Sequence, residues 1–174
     1  QTQLLLTDLI WNTTERGMLV GIINQGELHL DLSGIRLMDD RGWVSFPEGA
    51  GMGPDETAVI AWSDDDLWRM PQGDILFRAD GKGPVSGRMI EGESAMKLGD
   101  SGVIHLATRY RDIIDTAVLK RSSLPDRTSL DETALFPETT WRSMLSRRVD
   151  VNGRYVDTNT SLDWTVESSG GRIE

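Results

Sequence analysis

The sequence predicts an all-β domain, either a sandwich or a barrel, and three observations support this fold class. Apolar residues recur with a period of two or in short runs, which is typical of strands. Gly, Asn, Asp and Pro separate these runs, and helical periodicity is scarce. The chain has 174 residues, of which 38% are hydrophobic, with six Trp among them, so it can build one folded core.

The predicted strands begin near the N-terminus. Residues 4–11 and 18–24 are apolar runs, and the Asn-Gln-Gly sequence at the end of the second run turns the chain. Turns rich in Gly, Asp and Pro separate the other runs, which are residues 28–32, 35–38, 43–46, 57–62, 75–77, 103–107 and 113–119. We expect at most two short helices, at residues 65–70 and around residues 137–147.

The apolar alternation breaks once in the N-terminal half. The apolar residues on the two sides of the break are Leu30, Leu32, Ile35 and Leu37. Side chains alternate between the two faces of a strand, so all four can point inward only if the chain shifts register between them. Gly34 lies at the break and tolerates backbone conformations that other residues avoid. We therefore predict a bulge or a corner at Gly34.

The C-terminal third has a different composition. Residues 121–140 are rich in Ser, Thr, Pro and charge, and residues 150–174 are polar, so both are predicted to be irregular. Trp141, Tyr155 and Trp164 favour packing of this segment on the core, because an aromatic side chain in a loose tail exposes a large apolar area. We expect a sandwich core over residues 1–120 and, on the same domain, an irregular segment over residues 121–174.

Charge and composition exclude several classes of function. The chain carries 18 Lys plus Arg and 28 Asp plus Glu, a net charge of −10, which opposes general binding to nucleic acid. It contains no Cys and two His, so disulfides, thiol chemistry and His-rich metal sites are not expected, and we predict no cofactor. No apolar run is long enough for a transmembrane helix. Because the chain starts with Gln1, we expect it to be a piece of a longer protein.

The order of several segments is more specific than any one of them. Residues 18–26 read MLVGIINQG, and residues 30–40 read LDLSGIRLMDD. A Gly-Asp turn at residues 99–100 precedes a predicted hairpin, and residues 157–164 read DTNTSLDW. In this order the segments resemble the lamin-tail domain, an immunoglobulin-like β-sandwich found in nuclear lamins and in bacterial and archaeal proteins. The aromatic residue that usually follows Ser-Gly in the family is Ile35 here.

This resemblance implies a fold and a kind of function. It implies an immunoglobulin-like β-sandwich that serves as a non-catalytic binding or anchoring module. Prokaryotic members are joined to phospholipase D-like enzymes and other secreted hydrolases, so an extracellular or cell-surface location is expected. The partner would be a protein, a cell-surface component or the catalytic domain of the parent chain.

The sequence lacks the motifs of two classes of hydrolase. The phospholipase D signature has a Lys two residues after a His, but Asp31 follows His29 and Ala107 follows His105 at that spacing. Ser101 lacks the Gly-x-Ser-x-Gly sequence that exposes a nucleophile. A hydrolase that uses two of the 28 acids remains an alternative, although nothing in the sequence selects a pair.

The acidic residues are better explained by structure than by chemistry. We interpret Asp31 and Asp115 as turn or edge groups that accept backbone N–H bonds, and Asp157 and Asp163 as caps that fix the tail. The Asp-rich turns at residues 39–40 and 64–66 lack the alternating spacing of a calcium-binding loop, so solvated loops are favoured.

Five residues are candidates for surface binding. Trp68, next to Arg69 in an Asp-rich loop, is the Trp that we expect to be exposed. Arg142, Arg147 and Arg148 form the only local basic cluster, for which internal pairing with the acidic body is favoured over ligand binding. If this cluster were exposed and unpaired, a nucleic-acid-binding module would be a second alternative.

Overall fold

The computed structural model describes much of the chain and shows that it is built from strands. The described residues are 4–12, 18–39, 41–63, 75–92, 94, 96, 103–118, 142–157 and 164–167. The strands are β1 (Leu4–Asn12), β2 (Met18–Asn24), β3 (Leu30–Asp31), β4 (Arg36–Met38), β5 (Trp43–Ser45), β6 (Gly51–Met52), β7 (Thr57–Ala61), β8 (Ile75–Arg78), β9 (Ile90–Glu91), β10 (Val103–Ala107), β11 (Ile113–Val118), β12 (Arg142–Arg147) and β13 (Trp164–Glu167). Among the described residues, Val85–Gly87 form a 3-10 turn.

The strands form two main sheets. A six-stranded sheet has the order β13-β12-β1-β2-β7-β8, and a five-stranded sheet has the order β11-β10-β4-β5-β9. Neighbouring strands are antiparallel except β7 and β8, which are parallel. Strands β3 and β6 pair separately. One large apolar cluster takes side chains from both main sheets, and its members include Leu6, Leu37 and Ile60. The all-β, sandwich-like fold class is therefore confirmed.

A bulge in β1 places its apolar side chains. The pairing of β1 with β2 shifts between Leu6 and Asp8. Leu4, Leu6 and Leu9 all belong to the large core cluster, although an unbroken strand would direct the third of them to the opposite face. The bulge therefore keeps both ends of this long strand in contact with the core.

The predicted corner at Gly34 is confirmed. Gly34 has φ +79°, in the left-handed region that favours glycine, and it lies between β3 and β4. These two strands belong to different sheets, so the chain changes sheets at this point. Leu32 and Leu37, one on each side of the corner, are both completely buried. The break in apolar alternation is thus a change of sheet.

The C-terminal third contains more regular structure than the sequence predicted. The helix expected around residues 137–147 is wrong over Arg142–Arg147, which forms β12 and pairs with β1. Trp164–Glu167, expected to be irregular, forms β13 and pairs with β12. Trp164 is buried and belongs to the large core cluster. The helix predicted at residues 65–70 and Trp141 lie outside the described residues.

Candidate functional site

Besides the ion pair of Arg78 and Asp80 at the end of β8, charged side chains gather at two places in the described part of the chain. One is an ion pair buried between the two main sheets. The other is an open depression on the outer face of the five-stranded sheet. The two places differ in access to solvent, and this difference decides which of them can bind a ligand.

The buried ion pair joins Arg147 and Asp115. Arg147 ends β12 in the six-stranded sheet, and Asp115 lies in β11 of the five-stranded sheet. The Nη2 atom of Arg147 is 2.6 Å from Oδ2 of Asp115, and the two side chains are 0% and 3% exposed. The pair is therefore a polar connection between the sheets, hidden from solvent.

Backbone groups and one aromatic ring complete this connection. The backbone N–H of Leu6 donates to Asp115 Oδ2 at 2.8 Å, and Arg147 Nε donates to the carbonyl of Leu6 at 2.7 Å. Arg147 Nη1 donates to the carbonyl of Val156 at 2.9 Å. The guanidinium carbon lies 4.5 Å from the ring centroid of Trp164. These contacts satisfy the buried charges and fix the tail to the body.

Burial shifts the acidity of Asp115. Loss of hydration raises the pKa of Asp115 to about 6, although Arg147 and the Leu6 N–H act in the opposite direction. Shifted carboxyls occur in active sites and also in structural ion pairs. Here Oδ2 already accepts bonds from Arg147 and Leu6, and the side chain is not open to a substrate. We therefore assign Asp115 a structural role.

The sequence predictions for acidic residues hold in part. Asp115 accepts a backbone N–H bond as expected, but it does so at a buried site between the sheets. Asp31 accepts the N–H of Ser33 at 2.9 Å and is exposed, which confirms it as a turn group. Asp157 contacts Arg147, with its Oδ1 atom 3.7 Å from Nη1, so it contributes to an ion pair. Asp163 lies outside the described residues.

The five candidates for surface binding have different outcomes. Arg147 is buried, so its prediction as a surface-binding residue is wrong, whereas the internal pairing favoured for the basic cluster is confirmed for it. Arg148 is exposed. The backbone of Arg142 lies in β12, and its side chain is outside the described part of the structure. Trp68 and Arg69 lie outside it as well.

The depression lies on the outer face of the five-stranded sheet. Arg36 in β4 pairs with Ser45 in β5, which in turn pairs with Ile90 in β9. Directly opposed residues of antiparallel strands share a face, so these three side chains form a row across the sheet. The depression has a volume of about 240 Å³ and is lined by Gly34, Arg36, Ser45, Phe46, Glu48, Ile90 and Arg109.

Arg36 is held in place by an aromatic ring. Its guanidinium carbon lies 4.0 Å from the ring centroid of Trp43. The Nε atom of Arg36 is buried and has no hydrogen-bond partner. The ring is fixed in turn by Gly92, where an added Cβ would lie 2.5 Å from Cε2 of Trp43. The N–H of Gly92 also donates to the carbonyl of Trp43 at 2.9 Å.

A second arginine reaches the depression from the turn after β10. Arg109 Nη2 donates to the carbonyl of Ser33 at 3.1 Å. A Cβ on Gly34 would lie 2.7 Å from Nε of Arg109, so only glycine leaves space for this guanidinium. The charged groups that line the depression are two guanidiniums and the carboxylate of Glu48, which gives a local balance of +1. The depression is thus weakly positive on a chain of net charge −10.

This site was not predicted from the sequence, although one signal pointed to it. Strand β4 ends at Met38 and β5 begins at Trp43, and because these two residues pair, the strands form a tight hairpin. That register makes Arg36 a diagonal neighbour of Trp43 on the same face. The contribution of Arg109 had no comparable signal, because it comes from a turn that is distant in sequence.

The described residues contain no group of three or more His, Asp or Glu side chains placed to hold a metal ion. Over the same residues, the structure has no helix with the length and apolar character required to cross a membrane. Comparison with family models, curated proteins and solved structures found no match for this chain.

Proposed function

We propose that this chain is a non-catalytic binding or anchoring module, of the lamin-tail type, in a larger secreted or cell-surface protein such as a phospholipase D-like enzyme. The resemblance of segment order at residues 18–40 and 157–164 supports the family and the kind of parent protein. The main support for binding is the depression on the outer sheet face, which is lined by the partly exposed Arg36, a side chain without a hydrogen bond or ion pair to any described residue.

The size of the depression favours binding over turnover. Sites for small-molecule substrates usually enclose about 300–1,000 Å³. The depression measures about 240 Å³, which suits one side chain of a partner better than a whole substrate. Among its lining residues, Glu48 is the only acid, so the two carboxylates that a glycosidase-like mechanism requires do not meet there.

The two alternative functions have less support. A carboxylate-dependent hydrolase would use an acid with a shifted pKa, and Asp115 has one, but that carboxyl is bonded to Arg147 between the sheets. A nucleic-acid-binding module would use the basic cluster of residues 142–148, and Arg147 within it is buried. The net charge of −10 also opposes contact with a polyanion.

A selection experiment tests the proposal. The purified chain is used to select random peptides displayed on phage, and selected peptides are measured against the variants Ile90→Lys and Val151→Lys. Both residues are exposed, but only Ile90 lines the depression. We expect selected peptides to lose affinity for Ile90→Lys and to retain it for Val151→Lys.

A turnover assay completes the test. The same chain is incubated with phosphodiester and glycoside substrates, and no hydrolysis above the buffer rate is expected. Hydrolysis by the isolated chain would overturn the proposal in favour of an enzyme. A selection that yields no peptide sensitive to Ile90→Lys would remove the depression as the binding site.

A further inference from the structure

We infer that the depression binds a single carboxylate side chain on an otherwise neutral or basic segment of a partner protein, an inference that rests on the proposed binding function. Three features of the depression support a carboxylate: the unpaired state of Arg36, the arrangement of the two guanidiniums and the charge of the surrounding surface. Each of these restricts the chemistry of the ligand.

Arg36 lacks the partners that its side chain requires. A guanidinium carries five N–H donors, and donors that are withdrawn from water are normally bonded. Arg36 Nε is buried without a partner, and the guanidinium makes no side-chain hydrogen bond or ion pair with any residue that the structure describes. The buried Nε is out of reach of a ligand, but the side chain as a whole is partly exposed and lines the depression, so its other donors can bind an acceptor from outside the chain.

Both guanidiniums are already positioned. The contact with the Trp43 ring restricts the position of the Arg36 guanidinium, and a hydrogen bond to the carbonyl of Ser33 holds Arg109. A guanidinium whose orientation is set loses less entropy when it binds an anion. Its planar fork matches the two oxygens of a carboxylate. The exposed side chain of Ile90 adds an apolar rim that the methylene groups of Glu can contact.

The charge balance distinguishes a carboxylate from other anions. The lining groups sum to +1, which matches one carboxylate and leaves a phosphate dianion underneutralised. The rest of the chain is strongly acidic, so it repels polyanions such as DNA and anionic membranes. A single carboxylate on a neutral or basic partner surface satisfies both conditions.

NMR titration with defined peptides tests the inference. The probes are N-acetyl-Ala-Glu-Ala-amide and its matched control N-acetyl-Ala-Gln-Ala-amide, with inorganic phosphate and a DNA duplex as further arms. The signals are the Nε–H resonances of Arg36 and Arg109 and the indole N–H of Trp43 in the isotopically labelled chain. We expect saturable shifts of these signals with the Glu peptide only.

Three variants assign the effect to the two arginines. Arg36→Lys keeps the charge and removes the fork, and Arg109→Ala removes the second donor group. Each is expected to weaken binding of the Glu peptide by about tenfold or more, the usual effect of losing a charged hydrogen bond. Arg41→Ala removes an exposed positive charge that does not line the depression, so its affinity should equal that of the wild type. Thermal unfolding checks that each variant is folded.

The possible outcomes separate the inference from the proposed function. Equal shifts with the Gln peptide, or stronger binding of phosphate or DNA, would overturn the carboxylate inference. So would equal weakening by Arg41→Ala, which would indicate a general charge effect. If no probe binds but the phage selection yields peptides that depend on Ile90, the inference fails and the binding function stands. If both experiments fail, both are wrong.

Discussion

The Nη2 atom of Arg147 lies 2.6 Å from Oδ2 of Asp115, and this contact joins strands of different sheets that are 32 residues apart. Neither side chain is open to solvent. Ion pairs of this kind add little compared with apolar packing, yet removal of one partner leaves the other charge buried and uncompensated. The connection therefore makes the fold sensitive to single substitutions.

We expect Asp115→Ala to lower the free energy of unfolding by about 3–5 kcal/mol, because Arg147 would stay buried without its counter-charge. Urea denaturation measures the loss. Asp157→Ala is the matched control, because Asp157 is exposed and contacts the same arginine at 3.7 Å. This substitution should lower the free energy of unfolding by less than about 1 kcal/mol. Similar losses for the two variants would contradict a special role for the buried pair.

The pH dependence of stability should contain two opposing contributions. Burial raises the pKa of Asp115 from 3.8 to about 6, so folding disfavours its charged form. The stability that the folded state gains by holding this proton is fully present below pH 3.8 and is lost as the pH rises through about 6. Burial lowers the pKa of His105 below 6.5, so its contribution is present above 6.5 and is lost as the pH falls. The two effects partly cancel over the mildly acidic range.

Single variants separate these contributions. The stability difference between wild type and Asp115→Asn should be larger at acidic pH than at neutral pH, because only the wild type gains from protonation there. His105→Gln should lose less stability than wild type on acidification. Urea denaturation between about pH 4 and 8 measures both, and it stays above the range in which Asp80, with a pKa lowered to about 2, becomes protonated. Differences that stay constant with pH would refute both assignments.

Asn24 is expected to be intolerant of an isosteric change. Its amide nitrogen donates to the carbonyls of Leu28, Met52 and Gly53 at 2.8, 3.1 and 3.0 Å, and the residue is fully buried. Asn24→Asp replaces this donor with an acceptor that faces three carbonyl oxygens. We expect a loss of about 3 kcal/mol or more in the free energy of unfolding.

The control for this prediction is Glu27→Gln. Glu27 is exposed in the turn after β2. Exchanging its carboxylate for an amide, the reverse of the change at Asn24, should alter the free energy of unfolding by less than about 0.5 kcal/mol. Chemical denaturation of both variants gives the comparison. A mild effect of Asn24→Asp would show that the three carbonyls are satisfied without the amide.

Gly92→Ala should disturb the depression without changing a residue that lines it. The added Cβ would lie 2.5 Å from the ring of Trp43, so the ring must move, and Arg36 stacks on that ring. We expect a loss of about 1–3 kcal/mol in stability, a shift of the Trp43 indole signal and weaker binding of the Glu peptide. At Gly53 the nearest atom is the flexible end of Glu56 at 3.4 Å, so Gly53→Ala should leave the indole signal unchanged.

Features of the fold that depend on residues close together in sequence could be predicted, whereas features that depend on a distant strand could not. The corner at Gly34 was predictable because the apolar alternation breaks there, and the break marks a real change of sheet. Strand β12 was not predictable, because Arg142–Arg147 mixes polar and apolar residues without a clean period and becomes a strand by pairing with β1. The missing information was a partner edge more than 100 residues away in sequence.

The same difference between local and long-range contacts explains which parts of the two sites were predictable. The basic cluster correctly indicated internal pairing, but nothing local identifies Asp115 as the partner of Arg147, because the contact exists only when the two sheets pack. Arg36 and Trp43 belong to one hairpin, and their contact was within reach of sequence reasoning. Arg109 enters the same depression only through the corner at Gly34.

The interior position of β1 has a consequence for how the chain folds during synthesis. This first strand is flanked by β2 and by β12, and Asp8 pairs with Ser146, which emerges from the ribosome 138 residues later. Until then one backbone edge of β1 has no native neighbour, and such edges recruit other strands. Pairings so distant in sequence also slow folding. Nascent chains halted before β12 are therefore the species most exposed to aggregation and most dependent on chaperones.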